Sequence, residues 1–405
     1  MEFLKSITAE KALEIIESFP VITATETIDI EDALDRILTE DIISNEDIPP
    51  FSRSLVDGFA IKVKDTHGAK ETAPSFLYLQ GEIKIGEVAE ITLENGHCIY
   101  ISTGAMVPQG ADGVVMQEYT RRMGDAVEVT KTAYKGENII FAGEDIKKGN
   151  KVLGKGKRLS PFDLGILSAL GVSRVPVFKT PVVGLISSGD EIVTIYQTPE
   201  LGKIRDINRY TISNMLKKED SIVKFIGIVK DNIGDITEKL VSARECNMIL
   251  VSGGSSKGER DFITASIEKL GGEIIFHGVN IKPGKPVIFA KLWGKPVFGL
   301  PGHPTSCIMV MVRFALPLVR NLKGEYGHEE KWGSGMLTNN IPSTYGIEEY
   351  VRVTVKYTDG RYYITPIFAK SSVISSLSDA AGYVVIPEGR EGYEKGEEVE
   401  VHWFE

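Results

Sequence analysis

The chain has 405 residues, a hydrophobic content of 42% and a net charge of -10. This length predicts about two to four domains, each able to bury a core. The acidic charge argues against a nucleic-acid-binding protein, which needs a basic surface to neutralise phosphates. No stretch approaches the roughly 20 apolar residues of a membrane span, and the N-terminus is unlike a signal peptide. We therefore expect a cytoplasmic protein without a membrane partner.

Three cysteines, Cys98, Cys246 and Cys307, lie far apart in the sequence and show no metal-ligand spacing. Neither a disulfide framework nor a structural zinc site is indicated. We expect buried, unreactive thiols.

The first 150 residues contain helical patterns and then many short apolar runs. Apolar residues at helical spacing predict helices over Thr8–Ser18 and Asp32–Leu38. Beyond Pro50, a polar loop with Ser54 and Asp57 precedes Gly58. Apolar runs separated by turns from Phe76 to Val129 then predict a small β domain. Its loops contain Thr103, and Asp145 follows shortly after it.

The middle of the chain alternates strands and helices, after a helix predicted to start at Ser160-Pro161. Strands at Val182–Ile186, Ile222–Val229 and Met248–Val251 predict a parallel sheet with helices on both faces. Ligands of such sheets bind at the carboxyl ends of the strands. The residues expected there are Ser187–Glu191, Asp231, the Gly253 loop, the Lys282 turn and Pro301–Pro304. After a helix at 305–322, alternating apolar residues predict a second small β domain.

The sequence after Met248–Val251 has the features of an anion-binding corner. Glycines follow the strand, then serines and Lys257, and a helix is predicted near Phe262–Leu270. Loop amides and the positive end of a helix dipole bind phosphate in such corners. Lys282 and Lys285 flank Pro283-Gly284 and add two cations. We expect a phosphate or oxyanion ligand.

Five carboxylate positions follow strands or turns: Asp57, Asp145, Glu191, Asp231 and Asp261. Any single one could be a helix cap or turn former, and Asp261 could be only an N-cap. Three of them fall at one predicted sheet edge, where like charges need Mg²⁺, a lysine or a proton. A magnesium-assisted site is one hypothesis. Asn208 could belong to a helix start or contact a nucleotide or pterin, whereas His303 is interpreted as a hydrogen-bonding loop residue.

Several motifs together resemble one family. They are PPFSRSLVDGFAI, TGAMVPQGADGVVMQE, GEDIKKG, GLISSGDEI, GKIRDIN, SGGSSKGERD, IKPGKP and GLPGHPTS. In this order they resemble the molybdopterin molybdenumtransferases of the MoeA family, which is related to the C-terminal domain of gephyrin. The resemblance covers nearly the whole chain.

The resemblance implies a multidomain α/β plus β fold. A helical and mixed N-terminal domain would comprise residues 1–45 and 147–177, with a β domain at 46–146 inserted in it. A central, doubly wound parallel-sheet domain would span 178–326 and a C-terminal β-barrel-like domain 327–405. It also implies a homodimer in which Asp57, Thr103 and Asp145 approach the site from the partner chain.

The implied reaction transfers molybdate, or tungstate, to adenylylated molybdopterin with Mg²⁺ and releases AMP. The residues expected to be catalytic are Asp57, Asp145, Glu191, Asp231, Asp261 and Lys282, and the metal ligands Asp231, Asp261 and Glu191. Substrate contacts are expected from Ser54, Thr103, Asn208, Gly253, Gly254, Ser256, Gly258, Lys285, Pro301, Pro304 and Ser371. A molybdopterin adenylyltransferase is a possible partner protein.

The chain departs from the family pattern at several positions. His303 replaces an asparagine, Ser188 a threonine, and Ser372 and Ala381 the commoner glycine and asparagine, while Gly278 stands where some members have a lysine. These changes bear on substrate detail. Two alternatives stay open: a molybdopterin adenylyltransferase that uses the same α/β loop with ATP, and a non-catalytic, gephyrin-like scaffold.

Overall fold

The computed structural model describes residues 6–21, 23–253, 259–325 and 332–404, with the side chains of 259–261 excepted. The chain forms two compact units, Met1–Glu26 with Val177–Glu405, and Thr27–Pro176. The sequence-based boundaries of four domains stay a prediction.

The unit Thr27–Pro176 is built around a six-stranded sheet. Its strands lie in the order Gly113–Met116, Gly58–Ile61, His97–Ile101, Ser75–Ile83, Ala126–Val129 and Thr120–Met123. The interior holds buried apolar residues such as Ile61, Leu77, Cys98 and Val127. The small β domain expected from the spacing of apolar runs is therefore present.

The same unit has short pairs of strands and one α-helix. The remaining strands are Thr25–Asp29, Ile42–Ile43, Arg53–Ser54, Ile139–Ile140, Lys151–Leu153 and Arg174–Phe178, and the 3-10 helices are Ile30–Asp32, Val63–Thr66 and Gln117–Tyr119. The α-helix Pro161–Ala169 begins as predicted, with Ser160 and Asp163 forming a reciprocal capping box. The helix predicted over Asp32–Leu38 is wrong. Asp35 has a positive φ of 61°, which interrupts a helix, and backbone hydrogen bonds join Asp35 and Leu38 to residues 159 and 157.

The other unit contains a six-stranded mixed sheet. Its strands lie in the order Ile222–Val229, Val182–Ser188, Met248–Gly253, Lys295–Leu300, Ile288–Leu292 and Glu273–His277. The first four strands are parallel to one another. Ile288–Leu292 pairs antiparallel with Lys295–Leu300 on one side and with Glu273–His277 on the other. The expected parallel core is present, and antiparallel pairings extend it at one edge.

Helices cover this sheet on both faces. They are Ala9–Glu17, Asn208–Lys218, Ile233–Ser242, Glu259–Lys269, Pro304–Val310 and Leu316–Leu322, with a π-helical turn at Met311–Ala315 between the last two. One core cluster joins Ile16 and Phe314 to Phe298, and another joins Leu240 and Ile267 to Val251 on the other face. The helix predicted near Phe262–Leu270 begins earlier, at Glu259, so Asp261 is its third residue rather than its N-cap.

A second β structure follows. Its main strands are Trp332–Leu337, Glu348–Thr358, Arg361–Pro366, Gly382–Ile386 and Glu398–Trp403. Glu348–Thr358 pairs with both Arg361–Pro366 and Gly382–Ile386, and the remaining pairings close the five strands into a ring. The short elements Ile192–Val193, Ile204–Arg205, Ile281–Lys282, Ile341–Pro342, Gly392–Tyr393 and the helix Ser375–Ser378 complete this unit. The fold is thus the expected α/β plus β fold.

Among the described residues one helix, Pro304–Leu322, is long and apolar enough by length and composition to cross a membrane. Because 72% of its apolar window is buried in the structure, it is explained as a core helix. All three cysteines are free and buried. Burial raises the pKa of the Cys98 and Cys307 thiols to about 12, which disfavours the nucleophilic thiolate.

Candidate functional site

The carboxylate of Asp231 is fixed at the carboxyl edge of the mixed sheet. Ser188, the last residue of its strand and only 1% exposed, donates its hydroxyl to Oδ1 of Asp231. The other oxygen accepts the backbone N–H of Asp190 at 3.3 Å. The loop after one strand is therefore tied to the loop after its neighbour, and Glu191 follows directly. Sequence reasoning named Asp231 and Glu191 but did not single out Ser188 for this contact.

Asn208 joins the end of the strand Met248–Gly253 to a further loop at the same edge. Its buried Nδ2 donates to Oγ of Ser252 at 2.9 Å and to the carbonyl of Gly302 at 2.8 Å. Both amide hydrogens are thus used within the protein. Asn208 starts a helix as one interpretation proposed, and its NH₂ group holds the loop with Pro301 and Pro304 against the central strand. The predicted ligand contact would have to use another atom of this side chain.

Gly253 occupies a position that admits no side chain. It is the register partner of Ser188, and a Cβ atom there would lie 2.4 Å from the Ser188 carbonyl oxygen and 2.7 Å from its Cβ. Real Cβ atoms do not approach so closely, so the glycine lets two strand ends meet. The predicted binding residues Gly254, Ser256 and Gly258, and the side chain of Asp261, lie outside the described residues.

Lys282 is paired with an acid that sequence reasoning did not single out. Its Nζ lies 2.9 Å from Oε1 of Glu349. The strand Ile281–Lys282 pairs in parallel with Glu348–Thr358, which makes Lys282 and Glu349 register partners. No local spacing could have shown this pair, because 66 residues separate them in the chain. Lys285, on the other side of the turn, is exposed.

Arg352 is a second residue that sequence reasoning did not find. It is 5% exposed, and its guanidinium donates to Oγ1 of Thr305 at 3.1 Å, to the carbonyl of Ala369 at 2.7 Å and to the hydroxyl of Ser376. Burial lowers its pKa, although guanidinium stays protonated near neutral pH. All three recorded acceptors are neutral, so they do not offset its charge.

The segment with Ser371 meets the start of the helix Pro304–Val310 next to this arginine. The N–H of Thr305 donates to the carbonyl of Ser371 at 3.1 Å, while Pro304 itself is buried. A buried cation, a helix N-terminus and a serine-rich segment therefore lie together. Such an environment favours an anion.

Asp57 and Thr103 lie together in the other unit. Oδ1 of Asp57 accepts the N–H of Thr103 at 2.7 Å and its hydroxyl at 3.0 Å, and both residues are exposed. Asp145 is also exposed, and its N–H donates to the carbonyl of Ile48 at 3.1 Å. Ser54 differs, since it is 1% exposed and its hydroxyl donates to the carbonyl of Val56 at 2.6 Å. Ser54 shapes the turn before Asp57, and a direct ligand contact stays a prediction.

No group of three or more histidine, cysteine, aspartate or glutamate residues suited to a metal occurs among the described side chains. The predicted set Asp231, Asp261 and Glu191 includes one residue whose side chain is not described. Its role as a metal site stays a prediction.

Family models match almost the entire chain in order. The MoeA N-terminal region (domain I and II) matches residues 7–171, a probable molybdopterin binding domain matches 184–321, and the MoeA C-terminal region (domain IV) matches 334–404. A Methanocaldococcus jannaschii protein, provisionally named for molybdopterin biosynthesis, is 37% identical over 93% of this chain and 91% of its own length. The molybdopterin molybdenumtransferase of Bacillus subtilis is 32% identical over 98% and 93%.

The chain belongs to the MoeA family. Two crystal structures of the molybdopterin biosynthesis MoeA protein from Pyrococcus horikoshii agree with this fold, with TM-scores of 0.88 and 0.85 at 36% and 33% identity. Each comparison covers 99% of this chain and 100% of the other. The recognition of the family from its motifs is confirmed.

The structure shows the local environment of two residues, His303 and Gly278, at which the chain departs from the MoeA pattern. His303 is exposed and precedes the helix Pro304–Val310 without a side-chain cap, which leaves its ring at the surface of the loop. Gly278 has a positive φ of 97°, a conformation that a lysine would adopt only with strain. The backbone of this MoeA member therefore suits glycine at position 278.

Proposed function

We propose that this chain is a molybdopterin molybdenumtransferase, which transfers molybdate to adenylylated molybdopterin and releases AMP in molybdenum cofactor biosynthesis. The observation that carries the proposal is the carboxyl edge of the mixed sheet. There Ser188 fixes Asp231, and Asn208 joins the end of the central strand to the loop with Gly302. Membership of the MoeA family, and relatives named for this activity, support the same conclusion.

Cations of the chain would bind the anionic groups of the substrates. Lys282 and Lys285 lie on a tight turn with exposed side chains, and Arg352 is a buried guanidinium whose recorded acceptors are neutral. A tetrahedral oxyanion or a phosphate would offset the charge of Lys285 and Arg352 and accept the N–H groups that Lys282 does not give to Glu349. The Gly253 loop would hold the remaining phosphate through its backbone N–H groups.

The acids suit Mg²⁺ chemically. Magnesium uses oxygen ligands and is often held by one or two carboxylates together with substrate phosphates and water, so a complete cage of protein ligands is not required. Asp231, Asp261 and Glu191 would hold the ion. When bound, it would offset the negative charge of the phosphoanhydride. Asp231 is held in place for this by Ser188 and the Asp190 N–H.

We further propose a homodimer in which Asp57, Thr103 and Asp145 complete the site of the partner chain. Support comes from the exposure of the three residues and from the hydrogen bonds that hold Asp57 to Thr103. An exposed, oriented carboxylate that is not part of a core is available for a ligand or a partner. A molybdopterin adenylyltransferase as a partner protein would supply the adenylylated substrate.

The test is AMP release from adenylylated molybdopterin with Mg²⁺, with molybdate and tungstate supplied in turn. Release that depends on the oxyanion is expected, and the two rates rank the metals. Chelation of Mg²⁺ should abolish release if the metal takes part, and unchanged release would remove the ion from the proposal.

Two other results would redirect the assignment. Adenylylation of free molybdopterin by ATP, without oxyanion-dependent AMP release, would identify a molybdopterin adenylyltransferase. Absence of both activities in the folded protein would favour a scaffold.

A further inference from the structure

The ammonium group of Lys282 is held by a carboxylate from a distant part of the chain. Nζ lies 2.9 Å from Oε1 of Glu349, and the lysine side chain is 59% exposed whereas that of the glutamate is only 12% exposed. The carboxylate is therefore the anchored member of the pair. The lysine is the member that would otherwise move.

The orientation of Glu349 is fixed by several contacts. Its second oxygen, Oε2, accepts the hydroxyl of Ser343 at 2.9 Å, so both oxygens are engaged. Its strand pairs with Ile281–Lys282 on one side and places Glu349 opposite Ile386 on the other. Burial, a hydroxyl donor and two neighbouring strands thus define where the carboxylate lies.

Lysine is an imprecise ligand for anions unless something holds it. Its four-carbon stem has many rotamers, and binding an anion normally costs that freedom. An ammonium already held by Glu349 has lost much of this freedom on folding, and it keeps two of its three N–H donors for a ligand. We propose that Glu349, oriented by Ser343, is a positioning residue that places the Lys282 ammonium for the tetrahedral oxyanion substrate. This rests on the proposed function.

A carboxylate beside an anion site could instead repel the substrate. The geometry favours positioning, because the Glu349 oxygens are covered by the Lys282 ammonium and the Ser343 hydroxyl and are largely buried. An oxyanion approaching the exposed lysine would meet the ammonium first. Solvent around that exposed group screens the charge behind it.

The test compares Glu349→Gln and Ser343→Ala in AMP release at varied molybdate concentration. Glu398→Gln is the matched control, since Glu398 belongs to the same ring of strands and accepts the hydroxyl of Ser334 at 2.8 Å. We expect the KM for molybdate to rise about tenfold in Glu349→Gln and about threefold in Ser343→Ala, with kcat within about twofold of wild type. The control should match wild type.

A double mutant separates positioning from a general structural effect. If Glu349 acts through Lys282, adding Glu349→Gln to Lys282→Ala should change the KM by less than about twofold. A further additive rise, or an unchanged or lower KM in Glu349→Gln alone, would overturn the proposal. Should Glu349→Gln fail to fold by circular dichroism, Ser343→Ala tests the same point with both charges retained.

The two proposals fail in different ways. Wild-type protein without molybdate-dependent AMP release would refute the proposed function, and the role of Glu349 with it. An active wild type whose KM is unaffected by Glu349→Gln and by Ser343→Ala would refute only the positioning role.

Discussion

Ser188 and Asp231 illustrate how a single hydrogen bond can determine where a functional carboxylate lies. An aspartate after a strand is usually a turn former or a cap. Here Asp231 accepts from a buried hydroxyl on the neighbouring strand and from the N–H of Asp190, so it is held at the edge where substrates of α/β sheets bind. Its charge is the property that the proposed reaction would use.

Asp231→Asn should therefore lower the rate of AMP release about 10²-fold or more, because it removes the charge while keeping the size of the side chain. The unfolding midpoint should change little. Glu238→Gln, on the exposed face of the next helix, serves as the control and should keep full activity. Activity of Asp231→Asn within twofold of wild type would exclude Asp231 from the mechanism.

Gly253→Ala should destabilise the protein by about 1–3 kcal/mol, because the new Cβ atom overlaps the Ser188 backbone. Gly165→Ala is the contrasting variant, for which we expect a gain in stability. Gly165 lies within the helix Pro161–Ala169, and a Cβ there would meet nothing within 4 Å. Alanine at this position should stabilise the protein by about 0.5–1 kcal/mol. Urea unfolding measures the change in unfolding free energy of both variants. An unchanged unfolding free energy in Gly253→Ala would show that the strand ends can separate without cost.

At the level of elements, a buried ionic cluster joins the C-terminal ends of two helices. Glu219 caps the helix Asn208–Lys218, and its carboxylate accepts from Nε of Arg320 at 3.1 Å while its carbonyl accepts from Nζ of Lys323 at 2.8 Å. Burial acts to raise the pKa of Glu219, but the hydrogen bonds and charges of Arg320 and Lys323 outweigh it and lower that pKa. The cluster holds the C-terminal end of the core helix Leu316–Leu322 to the C-terminal end of the helix Asn208–Lys218.

The lowered pKa makes this stabilisation depend on pH in a defined direction. Glutamate in the unfolded chain titrates at about pH 4.3. The stabilisation by Glu219 is therefore complete above that pH and is lost as the pH falls through the lower folded pKa. Glu219→Gln should cost about 3 kcal/mol at neutral pH, because it leaves the largely buried Arg320 guanidinium without its carboxylate partner. Lys323 keeps its pair with Glu325. The difference in unfolding free energy between wild type and Glu219→Gln should be constant down to about pH 5 and should narrow below about pH 4.3.

Urea unfolding at several pH values measures this difference. Glu14→Gln is the control, since its pair with Lys11 is exposed on both sides and should contribute nothing measurable. A difference between wild type and Glu219→Gln that grows on acidification would contradict the assignment.

At the scale of the whole molecule, the proposed dimer combines acids of the unit Thr27–Pro176 with acids of the other unit from the partner chain. A heterodimer of Asp57→Ala and Asp231→Ala would then contain one intact site and one doubly changed site. Random mixing of two inactive variants should restore about a quarter of wild-type activity, since half of the dimers are mixed and each has one working site.

The control for this experiment mixes Asp57→Ala with Asp145→Ala. Both changes lie in the same unit, so every site in the mixed dimer stays defective and no activity should return. Differently tagged chains show whether mixed dimers of Asp57→Ala and Asp231→Ala form. If they form but remain inactive, a shared site is refuted.

The sequence by itself determined the classes of element and the family. Helical spacing, the Ser160 cap and the buried strand runs were sufficient because each depends on residues close together in the chain. The motifs were likewise local, and they contain the candidates Gly253 and Lys282, whereas Asp231 was a candidate because it follows a predicted strand. The helix wrongly predicted at Asp32–Leu38 marks the limit of this approach, since long-range backbone hydrogen bonds there outweighed the apolar spacing.

Only the tertiary structure decided which side chains meet. The pairs Ser188 with Asp231, Asn208 with Gly302, and Lys282 with Glu349 each join segments separated by 43 to 94 residues. Arg352 lies at the start of the helix Pro304–Val310 because the C-terminal strands pair into a closed ring. No local sequence pattern predicts this contact. Such contacts depend on strand order and register, and these are set by burial over the whole unit rather than by neighbours in sequence.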